Sequence, residues 1–319
     1  MNLITIVFLF LLSCLVLALL SSRIIRSLDK IARFLGWREF VIAFFVIAIA
    51  GNLPNLFVDF SAVWQGKPEI ALGDIIGGNL VDLTIILAIA TFFSKKGLSA
   101  KSEMVQKTAM FTSAIAILPL LLIWDGRMDR MDGIILIFAF LFYTWWLFAE
   151  EGRFRKIYRG KSNHQMTSAG FVWTIFEVII LVILLLVSSQ AVVWSAQFFA
   201  TSLGVSLSLV GIIIVALGNS FPETYFSIIS ARKEENWMVL GDLMGSVISC
   251  ATLVLGVIVV IVPFEIRDLS LFLTARTFLI IAAAFSLLFI MTNKKISRRE
   301  ALFLLFIYIA FLMTEVFIK

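Results

Sequence analysis

Two acidic side chains, Asp82 and Glu223, fall in the middle of long apolar segments. An ionisable group at the centre of a bilayer costs about 2.5–3.5 kcal/mol even on lenient insertion scales, so it marks an ion or proton path. Both acids have polar company at a fixed spacing. Gly51-Asn52-Leu53-Pro54-Asn55 is followed by Gly73-Asp74 and then Gly77-Gly78, with Asp82 four residues further on. Gly218-Asn219-Ser220-Phe221-Pro222-Glu223 is followed by Gly241-Asp242 and Gly245-Ser246, with Cys250 in the place of Asp82. Pro54 and Pro222 are 168 residues apart, as are Gly73 and Gly241, Asp74 and Asp242, Gly77 and Gly245, and Thr84 and Thr252. Gly78 and Asp82, like Ser246 and Cys250, are spaced to share one helix face. Carbonyls, hydroxyls and two carboxylates around one point make a hard-oxygen site suited to Na⁺, Ca²⁺ or a proton.

The elements that position these groups are apolar helices. Of the 319 residues 61% are hydrophobic and only 15% are charged, and the mean hydropathy is +1.05. A soluble domain carries about a quarter charged residues. Ten apolar segments are expected, near 3–22, 40–65, 69–94, 106–124, 132–149, 170–199, 205–230, 237–263, 270–292 and 301–318. Met1 to Ser22 reads as the first of them rather than as a cleaved signal, since no basic region precedes it. Pro54 and Pro222 each remove a backbone donor beside a glycine, so segments 2 and 7 should each split into two half-helices. Backbone groups freed in hydrocarbon are tolerated only where they line a cavity or meet an ion.

The loops set the orientation. Twenty of the 26 basic residues follow segments 1, 3, 5, 7 and 9, five lie on the opposite side, and Arg276 falls within segment 9. Basic loops face the cytoplasm, which places both termini on the non-cytoplasmic side. Five segments per half is an odd number, so the second half crosses in the opposite sense. The sequence therefore predicts an all-α integral membrane protein with ten transmembrane helices. They form two inverted five-helix repeats, with helices 2 and 7 broken at Gly/Pro. Residues 1–149 form the first repeat, 150–168 a cytoplasmic linker and 169–319 the second repeat. Paired, Gly/Pro-interrupted segments in two such halves point to a transporter's binding site. The net charge of +5 belongs to loops and implies no nucleic acid. The two cysteines, Cys14 and Cys250, lie in apolar segments and suggest neither a disulfide nor a zinc site.

Gly-Asn-Ser-Phe-Pro-Glu followed by Gly-Asp-Leu-Met-Gly-Ser resembles the α-repeat of the Ca²⁺/cation antiporter superfamily, which includes the sodium/calcium exchangers. The resemblance spans both repeats. It implies a secondary active antiporter exchanging Ca²⁺ for Na⁺ or H⁺ by alternating access, with ions bound at mid-membrane and no bound cofactor. The ion ligands it implies are Asn52, Asn55, Gly78 and Asp82 in the first copy and Ser220, Glu223, Ser246 and Cys250 in the second. Backbone carbonyls near Ala48 and Ala216 would add to them. Asn55 replaces the family's glutamate, Gly78 its serine and Cys250 an aspartate, whereas Asp82 adds an acid where many relatives have asparagine. Two acids remain, enough to balance one Ca²⁺ or two monovalent ions, and this hints at electroneutral exchange. Asp59, one turn beyond Asn55, is a possible third. A prokaryotic inner membrane is the expected location, inorganic cations and the bilayer are the expected partners, and the sequence leaves the oligomeric state open, a monomer among the options.

Other readings stand beside this one. The substitutions at Asn55 and Cys250 leave open a transport-dead member or one for a different cation. Gly-Asp on two helices is also part of the pattern of intramembrane aspartyl proteases, which would use Asp74 and Asp242. The simpler expectation for those two aspartates is helix capping. Arg276 and Glu315 are expected to pair structurally, Glu177 is given no role, and Trp145-Trp146 reads as an interfacial pair.

Overall fold

The computed structural model describes residues 3–34, 51–149 and 167–317. The first half of predicted segment 2, with Ala48, and nearly all of the predicted linker lie outside the described residues.

Eleven helices carry the described chain: α1 (Leu3–Phe34), α2 (Leu53–Trp64), α3 (Pro68–Phe93), α4 (Glu103–Leu122), α5 (Arg130–Ala149), α6 (Ser168–Leu203), α7 (Leu207–Asn219), α8 (Phe221–Arg232), α9 (Asn236–Ile261), α10 (Leu273–Asn293) and α11 (Arg298–Phe317). Seven of these are long and apolar enough to cross a membrane, and the bent pair α7–α8 would make an eighth. Their polarity is that of a chain dissolved in lipid. Ile4 is 82% exposed, Trp173 71% and Phe138 70%, while Asp59 is 0% exposed and Asp74 and Asp82 are 3%. Water on the outer surface would reverse that distribution. This is an integral membrane protein.

Element boundaries recur at the 168-residue offset. α2 matches α8, α3 matches α9 and α5 matches α11, end for end. Even the irregularities repeat, because α3 widens into a π-helical turn at Asp82–Ile86 and α9 does so at Cys250–Val254. In both turns a threonine hydroxyl, Thr84 or Thr252, donates to the carbonyl four residues back. Contacts between the halves are reciprocal. α5 packs on the second part of α9 and α11 on the second part of α3, while α4 and α10 face each other. Two short antiparallel ladders do the same, joining β1 (Leu98–Ser99) to β4 (Lys295–Ile296) and β2 (Arg127–Met128) to β3 (Phe264–Glu265).

The contact that shapes the centre is α3 against α7. A Cβ on Gly77 would run into the Ile212 carbonyl, and one on Gly211 would meet the Ile70 carbonyl at 2.7 Å. Backbone therefore packs on backbone there, the arrangement by which membrane helices gain van der Waals contact. The close approach brings the end of α7 beside the polar stripe of α3.

Candidate functional site

Proline builds the site's frame. Pro54 and Pro222 sit in the first turns of α2 and α8, where a missing N–H is harmless. The chain turns at Asn52 and Ser220 just before them. α7 and α8 meet at Ser220 with a bend of 43°. The predicted break in segment 7 is thus present, and α2 begins where the second half of segment 2 was expected. Both half-helices aim their first turns, with Asn55 and Glu223, at the same pocket.

That pocket lies between the halves. α2 supplies Asn55 and Asp59, and α3 supplies Asp74, Gly78, Asn79 and Asp82. From the second half come Ser220, Glu223, Ser246 and Cys250. Its enclosed space is about 10 Å³ for the centre of a water-sized sphere, room for roughly one water or one dehydrated cation. A hydrogen-bonded chain stitches its floor across the repeats. Asn55 Nδ2 donates to Cys250 Sγ at 3.2 Å, Cys250 Sγ donates to Asn52 Oδ1 at 3.1 Å, and the Ser246 hydroxyl reaches Asn52 Oδ1 at 3.4 Å. Ser246 also stands within hydrogen-bonding reach of Asp82. Asn52, one layer behind the lining, holds Cys250 and Ser246 in place.

The acid count differs from the sequence reading. Among the described residues four carboxylates line the pocket (Asp59, Asp74, Asp82 and Glu223) rather than two, and no basic side chain does. Asp74 and Asp242 do not cap helices, which corrects that expectation. Each is the seventh residue of its helix, since α3 starts at Pro68 and α9 at Asn236. The expected segments start at 69 and 237, within a residue of these helices, so both aspartates fall in the second turn, beyond the positions a cap occupies. Asp74 faces inward instead and accepts a hydrogen bond from Asn219 Nδ2 at 2.5 Å. The missed signal was spacing. Asp74, Gly78 and Asp82 recur every four residues, as do Asn55 and Asp59, and such positions form one stripe. Ala216 is buried in the last turn of α7, where its carbonyl accepts from Ser220 N, and it is not among the lining residues. Glu177, given no role from sequence, pairs with Arg23 of α1 at 2.8 Å.

Among the described residues no three acidic, thiol or imidazole groups converge as a tight metal centre would require. The donors are instead a mixture of carboxylates, amides and hydroxyls around a small space. Mixed oxygen donors suit hard cations.

The sodium/calcium exchanger protein family model matches residues 5–149 and again residues 173–317. The chain belongs to the sodium/calcium exchanger protein family. Among its relatives, the inner membrane protein YrbG of Escherichia coli is 25% identical over 275 residues, covering 84% of this chain and 83% of the relative. The sodium/calcium exchanger MaX1 of Methanosarcina acetivorans is 25% identical over 334 residues, covering 93% and 95%. The solved structure of the sodium-calcium exchanger NCX_Mj shares the fold, with a TM-score of 0.62 at 24% identity over 98% of this chain and 99% of that one. This family member is a membrane transporter and not an enzyme, so the protease reading of Asp74 and Asp242 falls.

Proposed function

We propose that the chain is a secondary active antiporter that exchanges Ca²⁺ for a monovalent cation, Na⁺ or H⁺, by alternating access. The transported ions bind at mid-membrane between the two repeats. One observation carries this reading: acids from both halves line one small pocket in which no basic side chain stands among the described residues. Negative charge buried in a bilayer demands a cation. The names of relatives agree, since MaX1 and NCX_Mj are both described as sodium/calcium exchangers and NCX_Mj was soaked with Na⁺ and Sr²⁺.

In this reading Asn55, Asp82, Ser220, Glu223 and Ser246 hold the transported ion, with Asp59, Gly78 and Cys250 as further contributors, and Asn52, expected from the resemblance to be a ligand, instead positions Ser246 and Cys250. Ten spans form two inverted five-helix repeats, residues 1–149 and 169–319, linked by residues 150–168. Both termini face away from the cytoplasm. Inversion gives the pocket two equivalent ways to open, and the bend at Ser220 is where a half-helix can swing without breaking its own hydrogen bonds. Room for about one ion makes Ca²⁺ and the counter-ion alternate in the pocket.

The test is Ca²⁺ uptake into proteoliposomes under separate Na⁺ and H⁺ gradients. Uptake driven by either gradient in the wild type, and abolished by Glu223→Gln, is the expected result. Wild-type vesicles that exchange no Ca²⁺ under either gradient would sink the proposal.

A further inference from the structure

At the end of the molecule that carries the α3–α4 and α8–α9 loops, one residue keeps a backbone conformation that its type disfavours. Glu234, just past the end of α8, has a φ of 60°, in the left-handed region where a Cβ crowds the following carbonyl. The turn itself is a common helix ending. Glu234 N donates to the Ala231 carbonyl and Glu235 N to the Ser230 carbonyl, a pattern whose left-handed position usually takes glycine. The first repeat ends α2 in the same way, with Gly66 N on Val63 and Lys67 N on Ala62. There the left-handed residue is Gly66, at a φ of 69°. A glutamate kept where its repeat mate is glycine needs a compensating contact.

Its carboxylate makes one. Glu234 Oε1 accepts the Lys95 N–H at 2.8 Å, and Oε2 lies 3.4 Å from the buried Ser94 hydroxyl. Ser94 and Lys95 directly follow the last residue of α3, the helix of Asp82. Beside them the Arg232 guanidinium stands 4.7 Å from the centre of the Phe93 ring, an attractive cation–π distance. Two side chains at the end of α8 thus grip the end of α3. The repeat does not duplicate this grip. The positions 168 residues from Glu234, Lys95, Arg232 and Phe93 hold Gly66, Pro263, Trp64 and Ile261, and a proline has no N–H to give.

We infer that Glu234 and Lys95 form a one-sided latch, which holds the far end of α8 on α3 and has to release before the pocket opens toward that face. α8 is the half-helix beyond the bend at Ser220, and it carries Glu223 in its first turn. A half-helix hinged at one end swings only when its other end is free. Both partners of the bond are exposed to solvent, so the latch is strong enough to bias an equilibrium between two states and weak enough to break in every cycle. The matching joint of α2 with α9 lacks both the carboxylate and the N–H. The two faces of an otherwise repeated architecture therefore open at different cost.

This inference rests on the alternating-access reading but fails separately from it. Each partner can be replaced by its own repeat mate. Glu234→Gly removes the carboxylate together with the left-handed strain. Lys95→Pro removes the N–H, and Ser94 before it already has φ −77° and ψ 140°, the extended region that a following proline requires. In a Cys14→Ser background, Cys250 of the pocket lining is labelled with a membrane-impermeant thiol reagent in right-side-out and in everted vesicles. Each variant is expected to speed labelling from the face that carries Lys95 by about three- to tenfold, the weight of one hydrogen bond, and not from the other face. The double variant should label no faster than the faster single one, because both changes break the same bond. Glu234→Gly should melt no lower than the wild type in detergent; a lower melting temperature would make the contact a structural tie and overturn the latch. Unchanged labelling in both single variants, additive effects in the double, or equal acceleration from both faces would overturn it as well. Labelling does not depend on which ion is carried. Wild-type vesicles that exchange no Ca²⁺ would therefore sink the proposed function and leave this measurement standing.

Discussion

Asn219, the last residue of α7, donates a hydrogen bond to Asp74 in α3, tying the break in one half of the molecule to an acid in the other. The bond exists because glycines let α3 and α7 approach backbone to backbone. It links the hinge of the bent helix to the charge of the pocket, so an ion that alters Asp74 also bears on the bend.

The pair Asp82 and Glu223 should dominate ion flux. Glu223→Gln and Asp82→Asn each keep the shape and remove one charge from a buried site, where a cation's partner is hardest to replace. Ca²⁺ flux into proteoliposomes is expected to fall at least tenfold in each. Near wild-type flux in both would mean that the cation binds elsewhere.

Gly77 and Gly78 are adjacent but should respond in opposite ways. A Cβ at Gly77 collides with the Ile212 carbonyl, whereas nothing lies within 4 Å of one at Gly78. Backbone cannot step aside cheaply, so Gly77→Ala should destabilise by about 1–3 kcal/mol, seen as a lower melting temperature in detergent. Gly78→Ser should melt like the wild type. Its new hydroxyl adds an oxygen to the pocket lining, and cation affinity should rise a few-fold.

Cys250 offers a reporter of opening. It is 4% exposed and bonded to both Asn55 and Asn52, and Cys14 is the only other thiol in the chain. In a Cys14→Ser background, a small charged thiol reagent should label Cys250 only when the pocket opens to water. Saturating Ca²⁺ should slow that labelling, and labelling should block transport. Mass spectrometry of the labelled protein reads both rates.

Outside the pocket, α2 is fastened to α6 by hydroxyls and amides. Ser61 and Ser189 share a hydrogen bond of 2.7 Å, and Gln190 Nε2 donates to Ser61 at 3.1 Å. Ser189 keeps its bond to the Leu186 carbonyl and Gln190 is exposed, so Ser61→Ala is expected to cost about 1 kcal/mol, the net worth of an ordinary hydrogen bond. The exposed Arg23–Glu177 pair should matter less. Arg23→Ala is expected to change stability by about 1 kcal/mol or less, measured in the same thermal assay.

Much of this protein was written in its sequence alone. Apolar runs fixed helices and membrane, because hydrocarbon leaves the backbone few alternatives. The 168-residue offset foretold the matching ends of α2 with α8 and α3 with α9, and Pro222 foretold the bend before Glu223. These are local consequences of residue type and spacing. Which acids meet is not local. Asp59 and Asp74 sit 15 residues apart on separate helices, and only the turn from α2 into α3 sets them in one pocket, while the backbone contact of α3 with α7 brings Asn219 onto Asp74. Sequence placed Asp74 near a helix start and assigned it a cap, although the segment expected from 69 already put it in the second turn; which way that turn faces is set by the packing of α3. The tertiary structure turned two buried acids into four, because burial and charge proximity are properties of packed helices and not of any one of them.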